Sequence, residues 1–333
     1  MNKIEIEGGS YYNYLSEGCR LCTRGSKLVF FLTGECIHSC YYCPISEERG
    51  GNDVIFANER EVIGFEEVQH ELELMDAEGV AITGGEPLLK PERLLGYLQL
   101  FKGLNLHIHL YTTIIPEETF LMELSKYLDE IRFHPISLQN PQRFEKPITM
   151  AKDLGMEVGM EIPALEYSQD IVDLVNRQDI FLNVNEVEFS STNYDKLADK
   201  GFSVGESYGD TKSGEVAHLY WENVNKFHYC TALFKDSVQF RRRLIRMAHN
   251  YPHFYQATEE GTLICGVIEG DLDKAKEILR QAGEDYKQIE DQIEVSVEFV
   301  EERGETLKWM GFNISVIERY PTWKRIVVEK QPL

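Results

Sequence analysis

Apolar residues along the first two thirds of the chain follow two periods in turn. Short apolar runs of strand length alternate with longer stretches in which apolar residues recur at helical spacing, such as 65–78 and 116–128. The short runs predict six strands, at 28–33, 80–83, 104–112, 130–136, 157–164 and 181–189. Because strands that alternate with helices are typical of parallel sheets with crossover helices, the pattern predicts an α/β fold over 28–190.

Alternate positions within these strands separate an apolar face from a polar one. Successive side chains of a strand point to opposite faces, so the apolar face packs on the helices and the other face looks inward. The inner face is predicted to carry His107, His109, Tyr111, Thr113, Arg132, His134, Glu157, Glu161, Asn183 and Asn185. A single inward histidine is more often a hydrogen-bonded core residue than a catalyst, so it is the grouping that predicts a polar interior.

The pattern changes after residue 190. A stretch rich in Gly, Ser and Asp makes 191–228 a linker or a substrate-side loop. The remainder, 229–333, is predicted to be a C-terminal α+β domain with helices at 234–250, 271–281 and 293–309 and strands at 262–268, 312–317 and 325–329. This domain is either a structural cap or a module that recognises a substrate or partner. Residues 1–27 form an N-terminal extension.

Composition and charge narrow the class of protein. With 333 residues, of which 43% are hydrophobic and 27% charged, the chain can bury a full core. A net charge of -22 argues against general nucleic-acid binding, although not against one specific RNA. The N-terminus lacks a signal-peptide pattern and no run of about 18 apolar residues occurs, which predicts a cytoplasmic protein without membrane association. The seven cysteines, an odd number, fit a reducing compartment.

Three cysteines follow the first predicted strand at C-x3-C-x2-C spacing, namely Cys36, Cys40 and Cys43. Thiolates bind zinc and iron-sulfur clusters, and a purely structural site normally has a fourth protein ligand. This run supplies no fourth ligand, so an iron-sulfur cluster bound here would keep one iron open for chemistry. The alternative is a zinc knuckle, which the position after a strand and a second motif disfavour.

The second motif is Thr83-Gly84-Gly85-Glu86-Pro87, directly after the second predicted strand. Two glycines allow the backbone to approach a ligand closely, and Glu86 offers a charge complementary to an ammonium group. In an α/β barrel, reactive residues gather at the C-terminal ends of the strands, where both motifs fall.

Together the two motifs resemble those of the radical S-adenosylmethionine (radical SAM) superfamily, and the chain resembles its archaeal-type branch related to pyruvate formate-lyase activating enzymes. The resemblance is specific over 15–190. It implies that 28–190 is a radical SAM partial (β/α)6 barrel and that the three cysteines bind a 4Fe-4S cluster. It also implies reductive cleavage of SAM to methionine and a 5'-deoxyadenosyl radical, with electrons from a ferredoxin or flavodoxin.

The resemblance further implies a set of cofactor-binding residues. Tyr42 falls where the family has an aromatic residue beside the adenine, and Glu161 where it often has a polar residue that holds the SAM ribose. Thr112 aligns with a threonine common in relatives, whereas strand parity prefers Thr113. The predicted set is Tyr42, Gly84, Gly85, Glu86, Pro87, His109, Thr112, Thr113, His134, Glu161 and Asn185.

A further C-x-x-C pair, Cys19 and Cys22, lies just before the first strand and has metal-ligand spacing. Cys230 is the best candidate for a third ligand. The pair predicts a second site for zinc, iron or an additional cluster. The alternative is a pair of buried or redox-paired thiols.

The substrate is not identified by the sequence. A glycyl-radical enzyme, a tRNA, a protein side chain and a small metabolite all stay open, whereas the lack of a recognisable cobalamin-binding domain disfavours a cobalamin-dependent methylase. A different class is a non-enzymatic iron-sulfur or zinc protein whose C-terminal domain binds a partner. The final product, the fate of SAM and the oligomeric state are also left open.

Overall fold

The computed structural model describes residues 3–205 and 207–333. These residues form two compact units. The first comprises the described residues within Met1–Leu72 and Ala77–Phe240, and the second comprises Glu73–Asp76 and Arg241–Leu333. The finer division predicted from the sequence, with boundaries at 27, 190 and 228, stays a prediction.

A large, mainly parallel sheet forms the centre of the first unit. Its strands are β1 (Ile4–Glu5), β2 (Tyr11–Tyr12), β3 (Lys27–Phe31), β4 (Phe56–Ala57), β5 (Arg60–Glu61), β6 (Gly79–Thr83), β7 (His107–Thr112), β8 (Glu130–Phe133), β9 (Glu157–Pro163), β10 (Phe181–Asn185) and β11 (Phe227–Cys230). Their spatial order is β1-β2-β11-β10-β9-β8-β7-β6-β3-β4-β5. The strands from β11 to β3 in this order run parallel, while β2 and β4 pair antiparallel at the two sides.

Helices connect the parallel strands, as the alternating pattern predicts, and a further one precedes the first of these strands. They are α1 (Glu17–Thr23), α2 (Phe65–Leu74), α3 (Pro91–Gly103), α4 (Glu118–Leu124), α5 (Glu145–Asp153), α6 (Gln169–Arg177), α7 (Tyr194–Ala198) and α8 (Ser213–Asn223). Shorter helical turns lie at Glu7–Gly9, Pro87–Leu89, Pro141–Phe144 and Phe234–Gln239. Capping residues set where such a helix begins. At the start of α6, the Ser168 hydroxyl accepts a hydrogen bond from the Ile171 amide and caps the first turn.

The mixed α/β class is confirmed, and all six predicted strands are present. A seventh parallel strand, β11, was missed, because its four residues include the polar His228 and follow a long polar stretch. The apolar faces are also confirmed, since Ile108 and Leu110 of β7 and Met160 and Ile162 of β9 are fully buried. Within the predicted linker the structure shows two helices, α7 and α8.

The second unit is an antiparallel sheet with helices. It contains α9 (Phe240–His249), β12 (Gln256–Ala257), β13 (Leu263–Glu269), α10 (Leu272–Ala282), β14 (Tyr286–Ile289), β15 (Gln292–Val295), α11 (Val297–Trp309), β16 (Asn313–Arg319) and β17 (Val327–Pro332). The strand order is β14-β15-β13-β16-β17, with β12 beside β13. Successive side chains of β13 point into two different hydrophobic cores. Ile268 packs with α10 and α11, whereas Val267 packs with Ala248 of α9.

The predicted helix at 293–309 was wrong in its first residues. Residues Gln292–Val295 instead form β15, which pairs with β14 in a hairpin, and the helix begins at Val297. Ser296 separates the two elements because its hydroxyl accepts a hydrogen bond from the Phe299 amide. Within 3–205 and 207–333, no helix has the length and apolar character needed to span a bilayer.

Candidate active site

A cavity of about 750 Å³ opens at the C-terminal ends of the parallel strands in the first unit. Both sequence motifs and every parallel strand contribute to its wall. Lining residues include Cys19, Cys22, Lys27, Cys36, Cys40, Tyr42, Cys43, Gly84, Gly85, Glu86, Pro87, Thr112, Thr113, Arg132, His134, Glu161, Asn183, Asn185, His228, Cys230 and Lys235. A cavity of this size lies within the range of about 300–1,000 Å³ typical of small-molecule sites.

The three cysteines of the first motif lie in the loop after β3. All three thiols are free, with Cys36 exposed and Cys40 and Cys43 partly buried. Burial raises the pKa of Cys36 and of Cys43. Because a protonated thiol is a poor ligand, metal binding here would displace protons from these sulfurs.

Backbone contacts hold the second motif against the start of the cysteine loop. The Gly85 amide donates to the Thr33 carbonyl at 2.7 Å, and the Glu86 amide donates to the Glu35 carbonyl at 2.8 Å. A Cβ atom at Gly84 would lie 2.4 Å from the Thr33 oxygen, and one at Gly85 would lie 2.2 Å from the Glu35 oxygen. Both glycines are therefore needed to let the loops after β3 and β6 meet through their backbones.

The Glu86 carboxylate is completely buried and accepts four hydrogen bonds. The Leu88 amide and the Thr112 hydroxyl donate to one oxygen, at 3.1 and 2.8 Å. The Thr113 amide and hydroxyl donate to the other, at 2.7 and 2.5 Å. Both candidate threonines thus contact Glu86, and this carboxylate holds the loop after β6 to the end of β7. Pro87 is buried in the short turn that follows.

Tyr42 and His134 link the cysteine loop to the ends of β8 and β9. The Tyr42 hydroxyl lies 3.0 Å from His134 Nε2, and His134 Nδ1 lies 2.8 Å from the Glu161 carbonyl oxygen. Burial lowers the pKa of His134, so the neutral ring is favoured. With Nδ1 protonated toward the carbonyl, Nε2 accepts from Tyr42.

Arg132 and Glu161 form the charged centre of the cavity floor. Arg132 Nη1 donates to Glu161 Oε2 at 2.7 Å, and the Asn183 and Asn185 side-chain amides donate to the same carboxylate at 3.1 and 2.8 Å. Burial alone would raise the pKa of Glu161, but Arg132 and the two amides outweigh it and lower the pKa to about 2. Glu161 is therefore a carboxylate whose acceptor capacity is largely used within the protein.

Cys19 lies beside the pair formed by Arg132 and Glu161. The contacts of its sulfur there are with nitrogen atoms. Its Sγ lies 3.3 Å from Arg132 Nη2, 3.2 Å from Asn183 Nδ2 and 3.5 Å from His228 Nδ1. Burial raises the pKa of Cys19, but the charges of Arg132 and His228 lower it to a net value of about 6. These neighbours therefore favour the thiolate form of Cys19.

The other two candidates for a second site line the same cavity but differ from Cys19. Burial raises the pKa of Cys22 and of Cys230, so both favour the neutral thiol. The Cys22 sulfur contacts the Gln239 side-chain amide. The structure thus brings Cys19, Cys22 and Cys230 to one cavity, and the second metal site stays a prediction.

Three lysines of the cavity wall, Lys27, Lys196 and Lys235, were missed by the sequence analysis. Lys27 is buried in β3, and Lys235 is paired with Glu188. A lone lysine at the start of an apolar strand was the available signal for Lys27. Lys235 follows β11, which had not been recognised as a strand, so its position had no signal. His109, which was predicted to face inward and to bind a cofactor, is fully buried and does not line this cavity.

Comparison with known proteins identifies the family. A protein of Methanocaldococcus jannaschii named "Putative glycyl-radical enzyme activating enzyme MJ0021" is 36% identical over an alignment that covers 100% of this chain and 97% of that protein. The chain belongs to the radical SAM superfamily, in its branch of activating-enzyme relatives. Its cofactors are those of this superfamily, a 4Fe-4S cluster and SAM.

Other similarities are partial. A family profile described as a domain of unknown function, DUF8061, matches residues 261–333 of the second unit. Streptococcus suis SuiB bound to the precursor peptide SuiA is 16% identical, with a TM-score of 0.45 over 65% of this chain and 52% of SuiB. The Kitasatospora setae methyltransferase TsrM is 10% identical, with a TM-score of 0.38 over 68% of this chain and 52% of that one. The chain spans about half the length of these two structures, and the family assignment rests on the Methanocaldococcus relative.

Proposed function

We propose that this radical SAM enzyme activates a partner protein by abstracting a hydrogen atom from it, as a glycyl-radical enzyme activating enzyme does. The observation that carries the proposal is the full-length similarity to a relative named for this activity. Such a substrate presents a peptide segment to the cavity mouth, so the partner is a protein. An external low-potential donor, a ferredoxin or flavodoxin, would supply the electron.

The residues of the cavity fit the two cofactors. Cys36, Cys40 and Cys43 would hold the cluster, because they are free thiols on one short loop at the cavity wall. The cluster, when bound, supplies the one-electron reduction that cleaves SAM to methionine and a 5'-deoxyadenosyl radical. SAM would lie beside the cysteine loop and the Gly84-Gly85 backbone, whose lack of side chains lets the two loops pack together at Thr33 and Glu35.

The protein's own groups then have separate tasks in this proposal. The Gly84 and Gly85 backbone would meet the ammonium group of SAM, while Glu86 and Pro87 fix the shape of that loop. Tyr42 would lie beside the adenine and Glu161 at the ribose. Thr112 and Thr113 act through Glu86, because their hydroxyls donate to its carboxylate. His134 and Asn185 act by holding Tyr42 and Glu161 in place.

The finer fold prediction belongs to the same proposal. A sheet that curves into a partial (β/α)6 barrel, preceded by an extension carrying Cys19 and Cys22, would surround the reaction with protein and exclude water. Support comes from the cavity wall, which takes side chains from parallel strands as far apart in the sheet as β3 and β11. A cytoplasmic location would keep the cluster in a reducing compartment.

Production of 5'-deoxyadenosine tests the chemistry. The protein would be reconstituted anaerobically with iron and sulfide, reduced with dithionite in the presence of SAM, and compared with Cys40→Ala. We expect 5'-deoxyadenosine above the level of this control, with iron content unchanged in Cys22→Ala if the cluster is on the first motif. No product, with a reduced-cluster electron paramagnetic resonance signal that SAM does not perturb, would indicate a non-enzymatic cluster protein.

The substrate class needs a second experiment. Fractions of a cell extract would be screened for stimulation of 5'-deoxyadenosine formation, before and after treatment with protease, with RNase and by ultrafiltration. Stimulation that protease abolishes supports a protein substrate. Stimulation that RNase abolishes would indicate an RNA substrate instead, and stimulation that passes the filter would indicate a metabolite.

A further inference from the structure

A second group of potential metal ligands lies outside the cavity wall. His107, His109 and Glu130 each offer one ligand atom, and these three atoms lie within 4.8 Å of one another. The two histidines share a face of β7 because they are two residues apart, and Glu130 of β8 is the register partner of His109. None of the three lines the cavity that holds the candidate cofactor residues.

His109 has no hydrogen-bonding role that explains its burial. It is fully buried, and neither ring nitrogen has a partner among the described residues. His107 Nδ1 is also buried and without a partner in the described chain. Leaving such a group unsatisfied costs about 1–3 kcal/mol, so three unpaired nitrogens in one place call for a ligand.

The carboxylate of the group has one oxygen directed at the histidines. Glu130 Oε1 accepts from Ser16 Oγ at 3.1 Å and from Arg132 Nε. Glu130 Oε2 accepts from the Gly18 amide at 3.0 Å and lies 4.0 Å from His107 Nε2. Arg132 divides its charge between Glu130 and Glu161, so Glu130 is not fully neutralised by it.

Helix α1 packs directly against these atoms. A Cβ atom at Gly18 would lie 2.4 Å from His109 Nδ1 and 2.8 Å from Glu130 Oε2, so only glycine lets the helix come this close to the group.

We propose that His107, His109 and Glu130 bind a zinc ion that links β7 to β8 beside α1, with water as the fourth ligand. Two imidazoles and a carboxylate are ligands that zinc prefers. The Glu130 carboxylate also accepts from the Gly18 amide of α1, the helix that carries Cys19 and Cys22, so the ion would support the position of this helix through Glu130. The site is distinct from the predicted thiolate site at Cys19, Cys22 and Cys230.

Element-selective X-ray absorption at the zinc edge tests the proposal on the whole wild-type protein, because cluster iron does not contribute at that edge. Protein loaded anaerobically with one equivalent of Zn²⁺ would be desalted and measured. We expect about one equivalent retained, with a first shell of nitrogen and oxygen at about 2.0–2.2 Å and no sulfur near about 2.3 Å. A sulfur-containing shell, or no retained zinc, would overturn the proposal.

Variants test which residues bind. Glu130→Gln and His109→Ala should each retain less than a tenth of the wild-type zinc, whereas Cys22→Ser and the exposed-histidine control His218→Ala should retain all of it. Circular dichroism checks that each variant folds. His107→Ala gives a further test at a less buried ligand, where misfolding is less of a concern. Zinc retained in folded Glu130→Gln and His107→Ala would contradict the assignment.

Discussion

The Tyr42 hydroxyl lies 3.0 Å from Nε2 of His134, which joins the cysteine loop to the strand ends that carry Glu161. This bond ties a residue two positions after Cys40 to a partly buried histidine whose other nitrogen faces the Glu161 carbonyl. The loop that would hold the cluster is therefore fixed to the wall that would hold the SAM ribose.

We expect Tyr42→Phe to weaken SAM binding about three- to tenfold, because it removes one hydrogen bond worth about 0.5–1.5 kcal/mol and keeps the ring. The dissociation constant of SAM for the reconstituted protein, measured by equilibrium dialysis, checks this. The matched control is Tyr41→Phe at the neighbouring, partly buried tyrosine. Equal effects of the two substitutions would show that the contact with His134 does not position the loop.

Gly84→Ala should destroy the arrangement of the two motif loops. Gly84 has φ +143°, a conformation that residues with side chains rarely adopt, and a Cβ there would lie 2.4 Å from the Thr33 oxygen. We expect loss of SAM binding and destabilisation by more than about 2 kcal/mol. The control is Gly96→Ala in α3, where no atom lies within 4 Å of the added Cβ and a gain of about 0.5–1 kcal/mol is expected. Urea unfolding of both variants checks the contrast, and a well-folded Gly84→Ala that binds SAM would contradict it.

The parts of the site that the sequence predicted are those with a local pattern. Spacing alone identified Cys36, Cys40 and Cys43, and strand parity correctly placed Arg132 and Glu161 on the cavity side. The contact between Thr112 and Glu86 could not be predicted, because it depends on how β6 and β7 align in the sheet. Strand parity favoured Thr113, and the similarity to relatives favoured Thr112. Both threonines contact Glu86, because the chain turns at the end of β7.

Partners from distant parts of the chain had no signal in the sequence. The buried charge of Arg132 is divided between Glu130 and Glu161, and Arg132 also contacts Cys19, which lies in α1 more than a hundred positions away. β11 was missed for a related reason. Its four residues are too few to show a clear alternation, and pairing with β10 and β2 makes them a strand.

Acid should destabilise the first unit through Glu161. Its pKa is lowered to about 2 in the folded protein, so the charged form contributes stability that is present above pH of about 4.5 and is lost as the pH falls toward 2. The contribution is on the order of 3 kcal/mol. Urea unfolding of the cluster-free Cys40→Ala protein between pH 6 and pH 3 checks this. Glu161→Gln in that background should flatten the pH dependence, while the exposed-site control Glu166→Gln should not. A slope unchanged by Glu161→Gln would mean that other carboxylates carry the acid sensitivity.

In the second unit, Arg319→Met should be strongly destabilising. Arg319 Nη2 and Glu294 Oε2 are 3.0 Å apart, and the exposed fractions of the two side chains are 0% and 1%. Removing one partner of a buried ion pair leaves a charge without compensation and typically costs about 3–5 kcal/mol, although Arg325 and Tyr255 also contact Glu294 and reduce the loss.

The matched control is Lys330→Met, which removes an ion pair with Glu269 at a similar distance, 2.9 Å, but near the surface. That change should cost less than about 1 kcal/mol. Urea unfolding followed by circular dichroism compares the two. Similar small losses in both variants would show that Arg325 alone is enough to stabilise the Glu294 charge.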